Sequence, residues 1–335
     1  MTPLVDLARF RSALILKPSS LGDIVHTLPA VHSIKKAFPH LNIRWVVNTE
    51  WIPLLEGNAD ISEIIPFPRK EFRGISALPA VLKWARNLNI APREVPEIAL
   101  DFQGLLRSAL AGITRGAETI IGMSDAREGA TKFYRHVVSV NRSAHSVERY
   151  LSVPKALGVE APNIFFPMPE GINPSRLNVP KDFLLLHPYS RGRGKSLSDE
   201  FIQSLCDLIT SKNIVIVGRS TNTQKPTGAH VTFAVNDTSL PELIWLIRNA
   251  HGVISVDSGP MHIAAAVTDR TLGIHTWSDP RKVGPYNPNA WIWKAGRLAH
   301  RTDITDDEAK SEQAPTNIDA RRIADFVLRE WFCSA

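Results

Sequence analysis

Three short segments combine residue types that suit the binding of an anion or the transfer of a proton. The first, KPSSLGDIVH, places Gly22 and Asp23 after an apolar run, with Ser19 and Ser20 before them. Glycine lets the backbone approach a ligand closely, and a serine at this point is typical of the start of a helix. Asp23 is therefore either a carboxylate at a ligand site or a terminal charge stabilised by the helix dipole.

The second segment, HPYSRGRGKSLSDEF, is a basic, glycine-rich loop after an apolar run. Its G-K-S resembles the end of a phosphate-binding loop, but that motif requires glycine at position 189, which is Tyr189. Lys195 remains a candidate to neutralise a leaving phosphate. The alternative is that it belongs to a solvated charged loop.

The third segment, GVISVDSGPMHIAAAV, ends a strand at Asp257 and opens a helix at Ser258, Gly259 and Pro260. A helix start presents free N–H groups and the positive end of the helix dipole, which together favour an anion. His262 lies one turn into that helix, within reach of the same anion. The alternative makes Asp257 a helix cap and His262 a packed core histidine.

Basic residues provide a fourth candidate site. Arg69, Lys70 and Arg73 follow the third strand, and Arg107 shares a strand-end context with Asp101. They are candidates to bind an anionic acceptor or a lipid headgroup, or they lie in solvated loops. Aromatic residues are not interleaved with these basic runs, which disfavours a platform for single-stranded nucleic acid.

The elements that must position these residues alternate between short apolar runs and amphipathic segments. This alternation is typical of parallel, doubly wound α/β sheets whose strands are covered on both faces. In the first half, strands are predicted at 12–16, 42–47, 63–67, 96–100 and 119–122, and helices at 23–38, 75–88 and 105–113.

The pattern restarts after a segment with five prolines in 161–180, APNIFFPMPEGINPSRLNVP. The predicted organisation is an N-terminal Rossmann-like domain at 1–165, a linker at 166–180, a second Rossmann-like domain at 181–315 and a C-terminal helix at 316–335. Within the second domain, the polar stretch 302–316 is predicted to be a surface loop. The chain length of 335 residues fits two domains of ~150 residues.

The composition limits the class of protein. Hydrophobic residues make up 44% and charged residues 21%, which excludes a disordered or fibrous chain. Two cysteines are too few for a disulfide framework. The net charge of +6 favours an anionic partner without selecting one. No secretion signal or run of ~20 apolar residues is found, so we expect a cytoplasmic protein.

Together the segments resemble glycosyltransferase family 9, the lipopolysaccharide heptosyltransferases. The resemblance rests on PSSLGDIVHTLPA, LDFQGLLRSA, GMSDAREGATKFY with HSVERYLSVPKALG, and SVDSGPMHIAAA, in the family's order. It implies a GT-B fold, with two Rossmann-like domains facing a cleft and a C-terminal helix that packs back towards the first. It also implies inverting transfer without a metal or other cofactor, commonly of heptose from ADP-heptose to a Kdo residue of the lipopolysaccharide inner core.

The resemblance also implies roles for individual residues. Asp23 would be the general base, and Lys195 would stabilise the departing diphosphate. Asp257 would hold sugar hydroxyls. The remaining implied donor-site residues are Ser190, Ser258, Gly259 and His262, and the implied acceptor-site residues are Ser20, Gly22, Arg69, Lys70, Arg73 and Arg107.

This chain departs from the family pattern at three places. GRSTNTQKP after the strand NIVIVG lacks the acidic residue suited to a ribose, Tyr189 and Ser190 stand where two hydroxyl residues are expected, and Leu197 replaces a tryptophan after the loop lysine. These changes bear on the nucleotide and sugar more than on the fold.

The expected partners are a nucleotide sugar, a lipid-linked anionic saccharide and the cytoplasmic face of the inner membrane, with no nucleic acid. Three alternatives stay open: a GT-B transferase with another donor and acceptor, a sugar-nucleotide epimerase, and a non-catalytic member that only binds sugar nucleotides.

Overall fold

The structure, a computed structural model, describes residues 3–69, 71, 84, 96–161, 163–192, 194–221 and 224–332. The chain divides into two compact units, Met1–Pro169 and Glu170–Ala335. The division falls inside the segment 166–180 that the sequence predicts to be a linker. Lys70, Arg73 and the helix predicted at 75–88 lie outside the described residues.

The first unit contains a six-stranded parallel sheet with the order β3-β2-β1-β4-β5-β6. All five residues of β1 are buried, as expected for an apolar strand covered on both faces. Leu14 and Leu16 join the core on the side of Ala109. The elements are β1 Ser12–Leu16, α1 Leu21–Ala37, β2 Asn42–Asn48, β3 Glu63–Phe67, β4 Glu97–Asp101, α2 Leu106–Arg115, β5 Thr119–Met123, β6 His136–Val138 and α3 Ser146–Ala156.

The second unit repeats this order. Its sheet runs β13-β12-β11-β10-β7-β8-β9, parallel except for the β12–β13 pair. The elements are β7 Phe183–His187, α4 Asp199–Leu208, β8 Asn213–Gly218, β9 Val231–Val235, α5 Leu240–Asn249, β10 Gly252–Val256, α6 Gly259–Val267, β11 Thr271–Ile274, α7 Pro280–Val283, β12 Trp291–Lys294, β13 Arg297–Ala299, α8 Asp306–Lys310 and α9 Asn317–Phe332.

In each sheet the strand order reverses between the first and the fourth strand of the unit. These two places, β1 beside β4 and β7 beside β10, are topological switch points. Loops that leave the carboxyl ends of two such strands diverge and open a crevice, where ligands bind in sheets of this type. The fold therefore defines one candidate ligand site in each unit.

The C-terminal helix α9 packs within the second unit. It lies against α4, and Trp331 presses so closely on β10 that a Cβ added at Gly252 would meet its ring at 2.4 Å. Ala320, Ile323 and Phe326 complete the same core. Packing of this helix towards the first domain, which the family resemblance implies, stays a prediction.

The prediction of a surface loop over 302–316 is wrong for α8. Thr305 caps this helix by accepting a hydrogen bond from the Glu308 backbone N–H, and Glu308 accepts in return from the backbone of Thr305. Ala309 is buried beside Ile304 and Ile292. A single buried alanine between acidic residues gives no periodic apolar signal, so the sequence does not reveal this helix.

Candidate active site

The site of the first unit forms where the turns after β1 and β4 meet. Leu16 pairs with Asp101 at the ends of these strands. The Gln103 side chain accepts a hydrogen bond from the Ser19 backbone N–H at 3.1 Å. Asp101 is fully engaged in holding its own turn, because it accepts from two backbone N–H groups and from Ser108 and Tyr134. Asp101 is thus a structural carboxylate, and Gln103 fastens the β1–α1 turn.

Asp23 lies in the first turn of α1 with its side chain 37% exposed. Its Oδ2 accepts hydrogen bonds from the Ser20 backbone N–H at 3.0 Å and the Ser20 hydroxyl at 2.7 Å. Its Oδ1 accepts from the Tyr150 hydroxyl at 2.9 Å. Of the other predicted residues here, Gly22 is buried in the same helical turn, and the Ser20 hydroxyl is engaged with Asp23. The helix-capping role is real, but it occupies only one carboxylate oxygen.

A buried lysine completes this cluster. Lys17 is 3% exposed, and its ammonium donates to the Tyr150 hydroxyl at 2.8 Å and to the Phe102 carbonyl at 2.9 Å. Its Nζ lies 3.9 Å from Asp23 Oδ1. Burial would raise the pKa of Asp23, but the Lys17 charge and the hydrogen bonds from Ser20 and Tyr150 outweigh it and hold the pKa at about 2. Asp23 is therefore ionised at neutral pH. We call Lys17, Ser20, Asp23 and Tyr150 the Asp23 cluster.

Three exposed arginines follow strands of this sheet. Arg69 comes after β3, Arg107 begins α2 after β4, and Arg127 follows β5. Since the strands are parallel, all three lie at the carboxyl edge that carries Asp23. Among the described residues, none of the three side chains forms an ion pair. The sequence prediction included Arg69 and Arg107 and missed Arg127, whose position in the turn after the buried strand β5 is the available signal.

The site of the second unit centres on an ion pair. Lys195 Nζ lies 2.5 Å from Asp257 Oδ2, and the two side chains are 18% and 8% exposed. Ser278 donates its hydroxyl to the same carboxylate oxygen at 2.6 Å and lies 3.0 Å from His275 Nδ1. The structure thus brings together the predicted residues Lys195 and Asp257 with Ser278 and His275, which the sequence prediction missed. We call these four residues the Lys195 cluster.

The start of α6 adjoins the Lys195 cluster. Ser258 is the N-cap residue, but its hydroxyl donates to the Val256 carbonyl and lies 3.3 Å from His187 Nδ1 instead of capping the helix. Gly259 opens the helix, and His262 in its first turn is buried. The helix start therefore keeps backbone N–H groups that this side chain does not cap, as the anion-site interpretation requires.

Hydrogen bonds within the glycine-rich loop around Lys195 hold its backbone. The Ser190 hydroxyl accepts from the Gly192 backbone N–H, and the Ser190 backbone N–H donates to Ser196 Oγ at 3.0 Å. Thr276 donates to the Gly194 carbonyl at 2.9 Å, which ties this loop to the turn after β11. Ser190 thus has a structural partner at the predicted site.

The titration states of the second site follow from burial. Burial would raise the pKa of Asp257, but His275, His262 and the Lys195 ammonium outweigh burial and hold the pKa at about 2. Burial lowers the pKa of His187 and of His275 to about 4. Both imidazoles are therefore neutral at pH 7, and Lys195 carries the cationic charge that faces Asp257.

An exposed tryptophan borders the Lys195 cluster. Trp277 follows β11 and is 46% exposed, whereas its neighbours Thr276 and Ser278 are buried. The Lys195 ammonium lies 4.6 Å from the centroid of its ring. Leu197, in the place where the family pattern has tryptophan, is buried in the core. The aromatic face beside this lysine therefore comes from another loop, which the sequence prediction missed.

The described part of the chain contains no group of three or more histidine, cysteine or carboxylate side chains arranged to hold a metal ion. Among its helices, none is both long and apolar enough to cross a membrane.

Comparisons with known proteins find similar heptosyltransferases. A family model described as glycosyltransferase family 9 (heptosyltransferase) matches residues 209–311. Lipopolysaccharide heptosyltransferase 1 of Escherichia coli K12 is 27% identical over 305 residues, covering 85% of this chain and 93% of the relative. The structure of E. coli heptosyltransferase WaaC with ADP has a TM-score of 0.72 at 23% identity and covers 94% of this chain and 98% of that one. WaaC with ADP-2-deoxy-2-fluoro heptose has a TM-score of 0.70 at the same identity and coverages.

Two doubly wound units, each with a polar site at its switch point, and the likeness to these structures show the GT-B fold. The predicted α/β fold class is confirmed. The match to the glycosyltransferase family 9 model and the likeness to lipopolysaccharide heptosyltransferase 1 agree with the resemblance to this family that the sequence motifs indicated.

Proposed function

We propose that this enzyme transfers heptose from ADP-heptose to a Kdo-type acidic sugar of the lipopolysaccharide inner core, with inversion and without a metal ion. One observation carries the proposal. The first unit presents an ionised carboxylate, Asp23, and the second presents the ammonium of Lys195 beside the start of α6, each at a switch point. The relative that shares 27% of its residues with this chain is a lipopolysaccharide heptosyltransferase.

The proposed reaction is a single displacement. The acceptor hydroxyl oxygen attacks the anomeric carbon of the heptose, and the bond from that carbon to the diphosphate oxygen breaks. The electron pair leaves with ADP, and attack from the opposite face inverts the anomeric centre. Asp23 is ionised and takes the hydroxyl proton as the new bond forms, because the hydroxyl becomes acidic only during attack.

Charge develops on the departing diphosphate, and the second unit offers the groups that stabilise it. The Lys195 ammonium and the N–H groups at the start of α6 are fixed donors of the kind that replace a metal ion. We assign Ser190, Ser258, Gly259 and His262 to the phosphates, and Asp257 to hydroxyls of the sugar. The E. coli relative was solved with ADP and with an ADP-heptose analogue, which supports this donor.

The acceptor is anionic and lipid-linked in this proposal. Arg69, Arg107 and Arg127 are exposed at the carboxyl edge that carries Asp23, and guanidinium groups match carboxylates and phosphates in geometry. Lys70 and Arg73, which follow Arg69 within four residues of sequence, complete the predicted basic set. Such an acceptor places the enzyme at the cytoplasmic face of the inner membrane as a peripheral protein.

The test is transfer by the purified full chain, with ADP-heptose and a Kdo-bearing lipid A, in the presence of EDTA. We expect ADP release coupled to a heptosylated product. Asp23→Asn should lower kcat by ~10²- to 10⁴-fold, the usual contribution of a general base, with ADP affinity near that of the wild type by calorimetry. Asp6→Asn removes an exposed capping carboxylate of the same unit and serves as the matched control.

Three results would contradict the proposal. The base assignment is wrong if Asp23→Asn keeps its rate and loses donor affinity. Dependence on Mg²⁺ would contradict the metal-free mechanism. If calorimetry shows selective binding of a nucleotide other than ADP, the protein can still be a transferase, but its donor is not ADP-heptose.

A further inference from the structure

The carboxylate of Asp23 has few free positions for a proton. A carboxylate offers about four acceptor positions, two on each oxygen. Oδ2 uses both of its positions on the backbone N–H and hydroxyl of Ser20. Oδ1 accepts one hydrogen bond, from Tyr150. The remaining acceptor position on Oδ1 is therefore the place where a substrate proton can arrive.

The direction of the hydrogen bonds around Oδ1 follows from the chemistry of an ammonium group. Lys17 has donors only, so the Tyr150 oxygen must accept from it at 2.8 Å. The hydroxyl hydrogen of Tyr150 then points to Asp23 Oδ1 at 2.9 Å. The second fixed contact of the ammonium is the Phe102 carbonyl at 2.9 Å. The hydrogen bonds that lead from Lys17 through Tyr150 to Asp23 Oδ1 thus all run in one direction.

We propose that Lys17 and Tyr150 are positioning residues that aim Asp23 Oδ1 at the acceptor hydroxyl and keep it ready to take the proton. The inference rests on the proposed function, because it assumes that Asp23 is the base. It assigns the proton-accepting atom and adds two residues, from β1 and α3, that touch no substrate in this scheme. Both residues act through the same carboxylate oxygen.

This arrangement also resets the base after each turnover. When Oδ1 gains the acceptor's proton, the neutral acid keeps weaker hydrogen bonds from Tyr150 and loses its attraction to the Lys17 charge. The proton is therefore lost to water once the product leaves, and the carboxylate is restored. Burial lowers the pKa of Lys17, while the nearby carboxylates Asp23 and Asp101 raise it.

Other titratable groups surround the pair and belong to the same electrostatic environment. Asp125, after β5, favours the charged form of Lys17, and Arg149, the neighbour of Tyr150 on α3, disfavours it. Arg149 and Asp125 form an ion pair of their own at 2.7 Å. His26 on α1 and His145, the cap of α3, lie nearby with ring centroids 5.1 Å apart.

The experiment compares two tyrosine-to-phenylalanine variants of the full chain. Tyr150→Phe removes the hydrogen bond to Oδ1. Tyr134→Phe is the matched control, because the Tyr134 hydroxyl donates to the structural carboxylate Asp101, also at 2.9 Å. For each variant, kcat, the donor KM and the acid limb of the kcat/KM profile against pH are measured with ADP-heptose and a Kdo-bearing lipid A.

We expect Tyr150→Phe to lower kcat by roughly 10- to 100-fold, as for the loss of one hydrogen bond to a charged group. Its acid limb should move to higher pH, because Asp23 loses a hydrogen bond that favours the carboxylate. The donor KM should stay unchanged. Tyr134→Phe should leave the acid limb where it is in the wild type.

The position of the acid limb separates a positioning role from a structural one. If both tyrosine variants lose activity with an unmoved acid limb, the role of Tyr150 is structural and the inference is overturned. If Asp23→Asn is inactive while Tyr150→Phe keeps the wild-type kcat and acid limb, the base assignment stands and the positioning fails. Full activity of Asp23→Asn refutes the base assignment on which this inference rests, whereas the absence of transfer by the wild type refutes the proposed function itself.

A double variant tests the hydrogen-bonded link from Lys17 through Tyr150 to Asp23. Lys17 acts on Asp23 partly through Tyr150 and partly through its own charge, so Lys17→Met combined with Tyr150→Phe should lose less activity than the two single losses multiplied together. Fully additive losses would overturn the shared pathway. If Lys17→Met does not fold, the tyrosine comparison alone decides the inference.

Discussion

Replacing Lys195 by methionine removes one charge and keeps most of the volume of the side chain. The ammonium lies 2.5 Å from Asp257 Oδ2 and 4.6 Å from the centre of the Trp277 ring. A charge-assisted hydrogen bond contributes ~1.5–3 kcal/mol and an exposed cation–π contact ~0.5–1 kcal/mol. The variant should therefore lose about 2–4 kcal/mol of folding stability, with Asp257 still held by Ser278.

The catalytic loss has a separate origin. If Lys195 stabilises the departing diphosphate, its removal should cost ~10²- to 10³-fold in kcat, the effect of removing one fixed donor from a developing anion. Donor affinity should also fall, because the same charge contacts the diphosphate before it leaves. The assays are kcat and KM for ADP-heptose, calorimetry with ADP, and urea unfolding.

Lys181→Met is the matched control for this substitution. Lys181 is exposed just before β7, at the opposite edge of the same sheet from Lys195. It should change neither kinetics nor stability beyond ~0.5 kcal/mol. If Lys195→Met loses stability but retains kcat/KM, the lysine is a structural partner of Asp257 and the reasoning is refuted.

Two further predictions concern the second unit. Trp277→Ala should weaken ADP-heptose binding by about two- to fivefold, the value of one exposed cation–π or stacking contact, with Trp277→Phe intermediate; an unchanged Kd for the alanine variant contradicts a donor role for the ring. In the folded chain, His187 and His275 have pKa values of about 4. As the pH falls below about 6.5, these two histidines therefore become protonated in the unfolded chain before they do so in the folded chain. The free energy of unfolding is thus unaffected by these histidines above about pH 6.5. Towards pH 4 it should fall by up to about 1.4 kcal/mol per pH unit for each histidine. Urea unfolding of His275→Gln at pH 7 and pH 5 should show a shallower dependence than the wild type, and an equal slope contradicts burial of a neutral imidazole.

Long apolar runs made much of the fold predictable. The strand at 12–16 and the strand NIVIVG have the predicted bounds, a helix opens at Gly259 as predicted, and the C-terminal helix predicted at 316–335 is observed at Asn317–Phe332. Each is an uninterrupted apolar or periodic segment bounded by glycine, proline or polar residues, so local signals agree with burial. Short edge elements gave no such signal, and β6, with three residues, was not predicted.

The β12–β13 hairpin shows how a turn can be hidden. Its two-residue loop, Ala295–Gly296, has positive φ values of 50° and 77°. That backbone matches the right-handed twist of a hairpin, but asparagine or aspartate is the usual first residue, because they adopt positive φ more readily than alanine. An alanine at this position therefore conceals a tight turn.

The site residues that follow a strand in sequence could be predicted. Those that only long-range packing brings to the site could not. Asp23, Lys195 and Asp257 follow β1, β7 and β10 in sequence, so strand ends sufficed to find them. Tyr150 is 127 residues from Asp23 in sequence. Only the packing of α1 against α3 brings its hydroxyl to the carboxylate. The Ser278 hydroxyl reaches Asp257 in the same way, from the turn after β11.

The two interpretations that the sequence left open for Asp23 are compatible, because a carboxylate has two oxygens. Ser20 saturates Oδ2 and fixes the start of α1, as a helix cap does. Oδ1 points away from the cap, receives Tyr150, and keeps one acceptor position. In the proposed mechanism the capping interaction has a catalytic consequence, because it fixes the rotation of the side chain and with it the direction of the free position. The proposed base would then need no mobile loop to aim it, and its reach would be set by the first turn of α1.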